Sequence, residues 1–248
     1  IKTVPIKKIH DNKFFLNLIS YALILVVIFD LFRFGWKFTP FTNKEYLYPS
    51  TKVTSFLQNQ KGQFRIMSAD SRIMPPNFSI MYKLQTLDGY DPLYLQRFGE
   101  LMAASGRGIP DIKPPFGFNR IITPQDPSSR IMNLANVKYV LSINPLKDTK
   151  LKEVFKDGHV IVYENSLSHE RAFFVTNTLI ANSKQEAINA IFDLNYPLNK
   201  RAVIENVSDK SLFKSNWDLG KIDFLNYQEN IVVLKTKKQI ENAITFFK

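Results

Sequence analysis

The apolar positions of this chain fall into one long unbroken run near its start and then into short runs among polar residues. The long run reads FFLNLISYALILVVIFDLFRFGW from Phe14 to Trp36, with no charged residue, proline or glycine between Phe14 and Phe29. Its backbone can close its own hydrogen bonds as one apolar helix, which is what a lipid-crossing segment must do. Asp30 and Arg33 enter near the end of the run, where a charged side chain can reach towards the interface, and Trp36 stands where interfacial belts favour an aromatic ring. A long buried core helix and a cleaved signal peptide are the alternatives. Lys2, Lys7, Lys8 and Lys13 crowd the N-terminal side, and FRFGWKFTPF offers no small-residue cleavage pattern. Together they favour an uncleaved span with its N-terminal end cytoplasmic and the bulk of the chain outside.

The short runs predict a second kind of structure. KFTPFTNKEYLYPS predicts a linker, and Ser50 is placed to cap a short helix carrying Val53, Phe56 and Leu57 and ending at Gly62. QFRIMSAD predicts a strand, and FSIMYKLQTLDGY a second one after a corner stiffened by Pro75 and Pro76. Asp88-Gly89 predicts a left-handed turn residue, and Asp91-Pro92 the start of a helix over LYLQRFGELMAA. SGRGIPDIKPPFGFNRIITPQDP has no sustained period and predicts a long loop. Ser128 or Ser129 caps the short helix SRIMNLAN, and VKYVLSI follows as a strand. KEVFKDGHVIVYEN predicts a hairpin turning at Asp157-Gly158, with Val160, Val162 and the Phe155 side inward. RAFFVTN, RAVIE, KIDFLNY and NIVVLKT predict further strands, and SKQEAINAIFDL an amphipathic helix with Ala187, Ile188, Ile191 and Phe192 on its sheet-facing side.

Strands in hairpins with few helices between them predict an α+β fold: one N-terminal transmembrane helix, then a mainly antiparallel sheet domain with a few packed helices. The expected divisions are a basic cytoplasmic flank over 1–13, the membrane helix over 14–36, and two extracytoplasmic lobes over 37–126 and 127–248.

Composition narrows the chemistry. Hydrophobic residues make up 45% of 248, ordinary for a water-facing domain and too few for a polytopic protein. The absence of cysteine excludes disulfides, thiolate metal sites and cysteine nucleophiles, and His10, His159 and His169 are too dispersed to suggest a histidine zinc site. A net charge of +11 raises nucleic acid as a partner. Past the N-terminal group the basic residues are spread singly, apart from runs such as Lys235, Lys237 and Lys238, so nucleic acid is set aside. Membrane lipid or an anionic cell-envelope polymer is the more natural counter-surface. The chain begins with Ile, which points to a processed or partial sequence.

The densest polar signal lies around DGYDP. Asp88 and Asp91, flanked by Tyr90 and Tyr94, have the groups to hold a divalent ion or to bond sugar hydroxyls while the rings stack on sugar faces. An Asx turn with a helix cap explains the same residues, and turn chemistry favours it. Asn77 is a turn former or a ligand amide. Arg97 and Arg107 are phosphate-binding candidates or members of a solvated face. SGRG has neither Walker nor Rossmann spacing, and the Ser168-His169-Glu170 neighbours lack a nucleophile elbow.

PPNFSIMYKLQTLDGYDPLYLQRFGEL, RIMNLANVKYVLS and HVIVYENSLSHERAFFV, in that order after DLFRFGWKFTP, resemble the region following a late transmembrane helix in the YfhO-type bacterial membrane protein family. The resemblance runs from about Phe14 to about Lys235. It implies kinship with GT-C glycosyltransferases, which move a sugar from a lipid-phosphate carrier to an acceptor on the outer membrane face. It also implies a missing N-terminal membrane bundle as partner, a lipid-linked sugar as ligand, and a divalent cation in the full-length protein with no cofactor in this chain. No catalytic residue is carried over, because the family's catalytic carboxylate belongs to earlier loops. The expected role is to shape or bind the acceptor or glycan side; a purely structural domain and a self-contained surface hydrolase are the alternatives.

Overall fold

The apolar run closes into one uninterrupted helix, α1 (Lys13–Phe38), which continues two residues beyond Trp36 and contains Asp30 and Arg33. The computed structural model describes residues 13–38, 42–116, 121–205, 220–228, 230–236 and 245–247. Lys2, Lys7, Lys8, His10, Lys237 and Lys238 lie outside the described residues, as do 39–41 of the expected linker and 117–120 of the expected loop. None of α1 is buried, so the buried-core alternative does not hold within this chain. At 26 residues it is long and apolar enough to cross a membrane, as a span or a signal sequence.

The chain divides into two units, Ile1–Pro49 and Ser50–Lys248. In the first, Asn43 caps a single 3-10 turn over Lys44–Tyr46. The second unit opens with α2 (Lys52–Gln58), β1 (Arg65–Ser68), β2 (Gly89–Tyr90), α3 (Gln96–Arg107), β3 (Ile121–Ile122) and α4 (Arg130–Leu134). It continues with β4 (Val137–Ser142), β5 (Leu151–Asp157), β6 (Val160–Asn165), β7 (Ala172–Phe174) and β8 (Asn177–Ala181). The remaining elements are α5 (Lys184–Phe192), β9 (Arg201–Glu205), β10 (Ile222–Tyr227), β11 (Val232–Thr236) and β12 (Thr245–Phe247).

The core is a four-stranded sheet in the order β1-β4-β6-β5, with β1 and β4 parallel and the other two pairings antiparallel. Both of its faces are covered. Ile66, Tyr139, Leu141 and Val162 face a cluster completed by Val53 and Leu57 of α2, while Met67, Val140, Ile161 and Tyr163 face one completed by Met102 of α3 and Ile131 and Met132 of α4. A strand buried on both sides reads as a nearly continuous apolar run, which is the pattern of VKYVLS and VIVY. The expected inward set holds, with Val162 buried in the first cluster and Val160 and Phe155 packed against it, but the opposite face, carrying Ile161 and Tyr163, is buried as well. The hairpin turns at Asp157-Gly158 as expected, with Gly158 at φ 57°. The fold is α+β with mixed sheets: β8 and β9 also pair in parallel, with α5 between them, whereas β10 with β11, β7 with β12 and β2 with β3 are antiparallel. β1 and β4 come from opposite sides of the expected 126/127 division, and their pairing joins the two segments in one sheet.

Several local expectations need correction. Thr51, not Ser50, caps α2 through a reciprocal capping box with Thr54, and the helix ends at Gln58 rather than Gly62. FSIMYKLQTLDGY does not form a long strand. Phe78–Tyr82 is a 3-10 turn closed by Lys83 at φ 56°, the next residues pair with the sheet at an isolated Ile66–Thr86 bridge while Leu84 and Leu87 pack into its two clusters, and strand pairing resumes at Gly89–Tyr90. Gly89 is extended, not left-handed, and α3 begins at Gln96, beyond the Asp91-Pro92 start. The expected loop at Ser105 begins only after α3 ends: Gly108 takes φ 69° as the C-terminal residue, as glycine does there.

Candidate functional site

The residues around DGYDP are occupied by the backbone that carries them. Asn77 sits at φ 72°, and its amide makes both backbone bonds to Tyr90, donating from Nδ2 to the carbonyl at 3.0 Å and accepting at Oδ1 from the N–H at 3.1 Å. It stands in for a strand neighbour of Tyr90. The exposed Asp91 carboxylate accepts from the Leu93 N–H at 2.8 Å, an Asx turn. The Tyr94 ring packs on the apolar core and lies over Gly99, where an added Cβ would come within 2.8 Å of it. Arg97 points into an ion-pair network with Glu100 and Glu205. Arg107 donates to the carbonyls of Asp111, Lys113 and Pro115 and so anchors the loop after α3. Only Tyr90 keeps a large exposed ring, at 51%. Among these residues Asp88 and Asp91 share no hydrogen-bond partner.

Asp88 is half-buried and accepts from the Thr86 hydroxyl, while its own N–H donates back to Thr86 Oγ1 at 3.3 Å. Burial raises its carboxyl above the ordinary value and the Thr86 bond opposes that only in part. A raised folded pKa means the folded state holds the proton more tightly, so stability falls as pH rises from the ordinary value near 3.8 through the raised one. Asp88→Asn keeps an acceptor for Thr86 and removes the ionisation. The expected result is a thermal midpoint at neutral pH no lower than the parent's, with a flatter acid-to-neutral profile; a loss of several degrees would mean that the carboxylate itself is required.

A second constellation was not singled out by sequence. An open groove of about 450 Å³ lies between the segment before β1, the start of β4, the loop before β7, and β10. Lys61, Lys138 and Arg171 line it, together with Asn136 and the rings of Phe64 and Phe224. Ser168, His169 and Glu170 line it too, as consecutive residues of one loop. Arg171 donates from Nε and Nη2 to the Tyr227 hydroxyl at 3.1 and 2.7 Å, and that hydroxyl bonds Gln85 Oε1 at 3.3 Å. Behind it Arg65 donates from Nη1 to the Ala135 carbonyl at 2.8 Å. Burial, and then the charge of Arg171, lower the Arg65 pKa from the usual guanidinium range to about 10. Asn136 is buried at φ 62°, its Nδ2 donating to the His169 carbonyl at 2.8 Å. Asn136 is the left-handed residue that closes α4, a capping role that Asn commonly fills and that LAN followed by a strand could have signalled. Arg171 carries no such local signal.

Among the described residues no three His, Asp or Glu side chains gather as a metal site. The groove offers positive charge, hydrogen-bond donors and aromatic surface, which suit binding of an anion. No family model, no curated protein and no solved structure matches this chain.

Proposed function

We propose that this chain is a membrane-anchored, extracytoplasmic domain of a GT-C-like glycosyltransferase or polymer-export protein of the bacterial envelope. Residues 50–248 shape or bind the acceptor or glycan side, and bond-making belongs to a membrane part outside this sequence. The observation that carries the reading is α1: an unbroken apolar helix with none of its residues buried, preceding a unit that has its own two-sided core. The N-terminal lysines support the orientation, and the net charge of +11 with a basic groove supports an anionic envelope partner, whether lipid, lipid-linked sugar or wall polymer. The YfhO-type resemblance supplies the protein class. A purely structural role is the second reading, favoured by the way Asn77, Asp91 and Tyr94 spend their side chains inside the fold.

The test is topological. With a tag after Lys248, the chain expressed in bacteria is expected in a carbonate-resistant membrane pellet, its tag removed by protease added to intact cells. A tag that stays protected until the cells are broken, or a chain that carbonate extracts, would overturn the proposal.

A further inference from the structure

We infer that the groove at Arg171 is a binding site for a phosphate-bearing, hydroxylated small ligand, a polyol or sugar phosphate, held by Arg171, Lys61 and Lys138 and by the amide of Asn136. The inference goes beyond the proposed function and depends on no membrane topology.

Charge comes first. Three cations line the groove against the carboxylate of Glu170, and among the described residues only Lys138 of the three has an acidic partner, Glu164 at 3.5 Å. Arg65 adds a fourth cation behind the wall, and among the described residues neither it nor Arg171 is paired with a carboxylate. An arginine fixed by a carboxylate is neutralised as it is positioned. Arg171 is fixed by a phenol, which sets the guanidinium plane and leaves the charge in place. Two guanidinium groups within electrostatic reach of each other raise each other's free energy, and an anion between or beside them relieves it.

The hydrogen-bond inventory sets the rest of the ligand. Among the described residues Arg171 Nη1 and Asn136 Oδ1 are both buried without a hydrogen-bond partner. A buried donor and a buried acceptor left unpaired each carry a desolvation penalty, and both belong to residues of this groove. A carboxylate ligand supplies acceptors only. A phosphate ester next to a hydroxyl supplies acceptor oxygens for Arg171 and a donor for Asn136. Both atoms are closed to water as the groove stands, so entry requires a local shift of these side chains and changes the surroundings of Tyr227. Phe64 and Phe224 give the carbon skeleton an apolar wall.

Glycerol phosphate carries this chemistry both as a soluble molecule and as the headgroup of phosphatidylglycerol. The full chain in phosphatidylcholine nanodiscs is titrated by calorimetry with glycerol 3-phosphate, with glycerol and acetate as controls. Saturable binding of glycerol 3-phosphate, absent with glycerol and weaker with acetate, is expected, together with a change in tyrosine fluorescence. Arg171→Gln is expected to weaken binding about tenfold, the scale of one charge-assisted contact. Lys61→Gln, at an exposed position, is expected to weaken it about twofold at unchanged thermal midpoint, and it keeps the test readable if the Arg171 variant does not fold. Repeating the titration in phosphatidylglycerol nanodiscs separates the sources: lost binding there identifies the lipid headgroup as occupant, and retained binding a soluble ligand. No saturable binding in phosphatidylcholine nanodiscs, or unchanged affinity in folded variants, would overturn the inference. A failed protease experiment on cells would leave these titrations intact, so the two readings fail separately.

Discussion

Replacing Lys184 and Arg97 together by methionine is expected to destabilise the second unit by about 3–5 kcal/mol, clearly more than Glu100→Gln at about 1–2 kcal/mol. Glu100 lies on the buried side of α3 at 5% exposure. Its Oε1 accepts from Lys184 Nζ at 3.1 Å and Gln96 Nε2 at 2.8 Å, and its Oε2 from Arg97 Nη1 at 3.3 Å. Arg97 also bonds Glu205 of β9, so the network of two carboxylates and two cations joins α3, α5 and β9. The two cations are nearly half exposed and can rehydrate if Glu100 loses its charge. Glu100 cannot rehydrate if they are removed, which is the origin of the asymmetry. Burial alone would push the Glu100 carboxyl up, but the bonds from Lys184 and Arg97 outweigh it and hold the pKa below the ordinary 4.5. A depressed folded pKa contributes stability that is present above the unfolded value and lost as pH falls through the folded one. The parent is thus expected to lose this contribution below about pH 4.5, the glutamine variant to lack that component, and the methionine pair to become more stable as Glu100 protonates. Denaturant unfolding at neutral and acid pH measures all three, and equal small losses would contradict the account.

The same network marks where sequence reading stops. Lys184 at the first position of α5 opposes the helix dipole, a local anomaly with no meaning until Glu100 is beside it. β4, the Asp157-Gly158 hairpin and α5 were legible because each is fixed by nearby residues: a β-branched run, a glycine at positive φ, a Ser183 cap with apolar spacing behind it. Phe78–Tyr82 was misread because its apolar content fits a strand, while the left-handed Asn77 and Lys83 that close a 3-10 turn have no such signature. DGYDP drew attention as paired carboxylates; of its turn-and-cap alternative the turn matches the Asp91 bond to the Leu93 N–H, whereas the cap does not, since the helix starts at Gln96, and the Asn77 bonds to Tyr90 span 13 residues that no local pattern reports. The groove was illegible for a further reason. Lys61, Asn136, Arg171 and Phe224 come from four separated stretches, and only the sheet order and the Arg171–Tyr227 bonds bring them together.

Under the proposed reading, Leu25→Arg is expected to shift α1 out of the membrane by about 2.5–3.5 kcal/mol, on the order of a hundredfold in partition, whereas Trp36→Arg is expected to change little. Leu25 stands at the middle of Lys13–Phe38, so a charge there meets the full hydrocarbon half-thickness of about 15 Å. Arg33 lies eight residues further on, about 12 Å along the axis, within snorkelling reach of the interface. Asp30, about 7–8 Å from Leu25 and with a short side chain, is the residue whose placement costs most, so Asp30→Leu is expected to strengthen integration. The measurement is the carbonate-resistant fraction of the full chain for each variant. A signal sequence, whose apolar region is cut away after targeting, would instead release a product shorter than the full chain; a full-length product with the order Asp30→Leu, parent, Trp36→Arg, Leu25→Arg is the span's own signature. If the arginine at 25 were tolerated as well as the one at 36, the helix would not be seated symmetrically about the bilayer centre, and the topology built on it would fall.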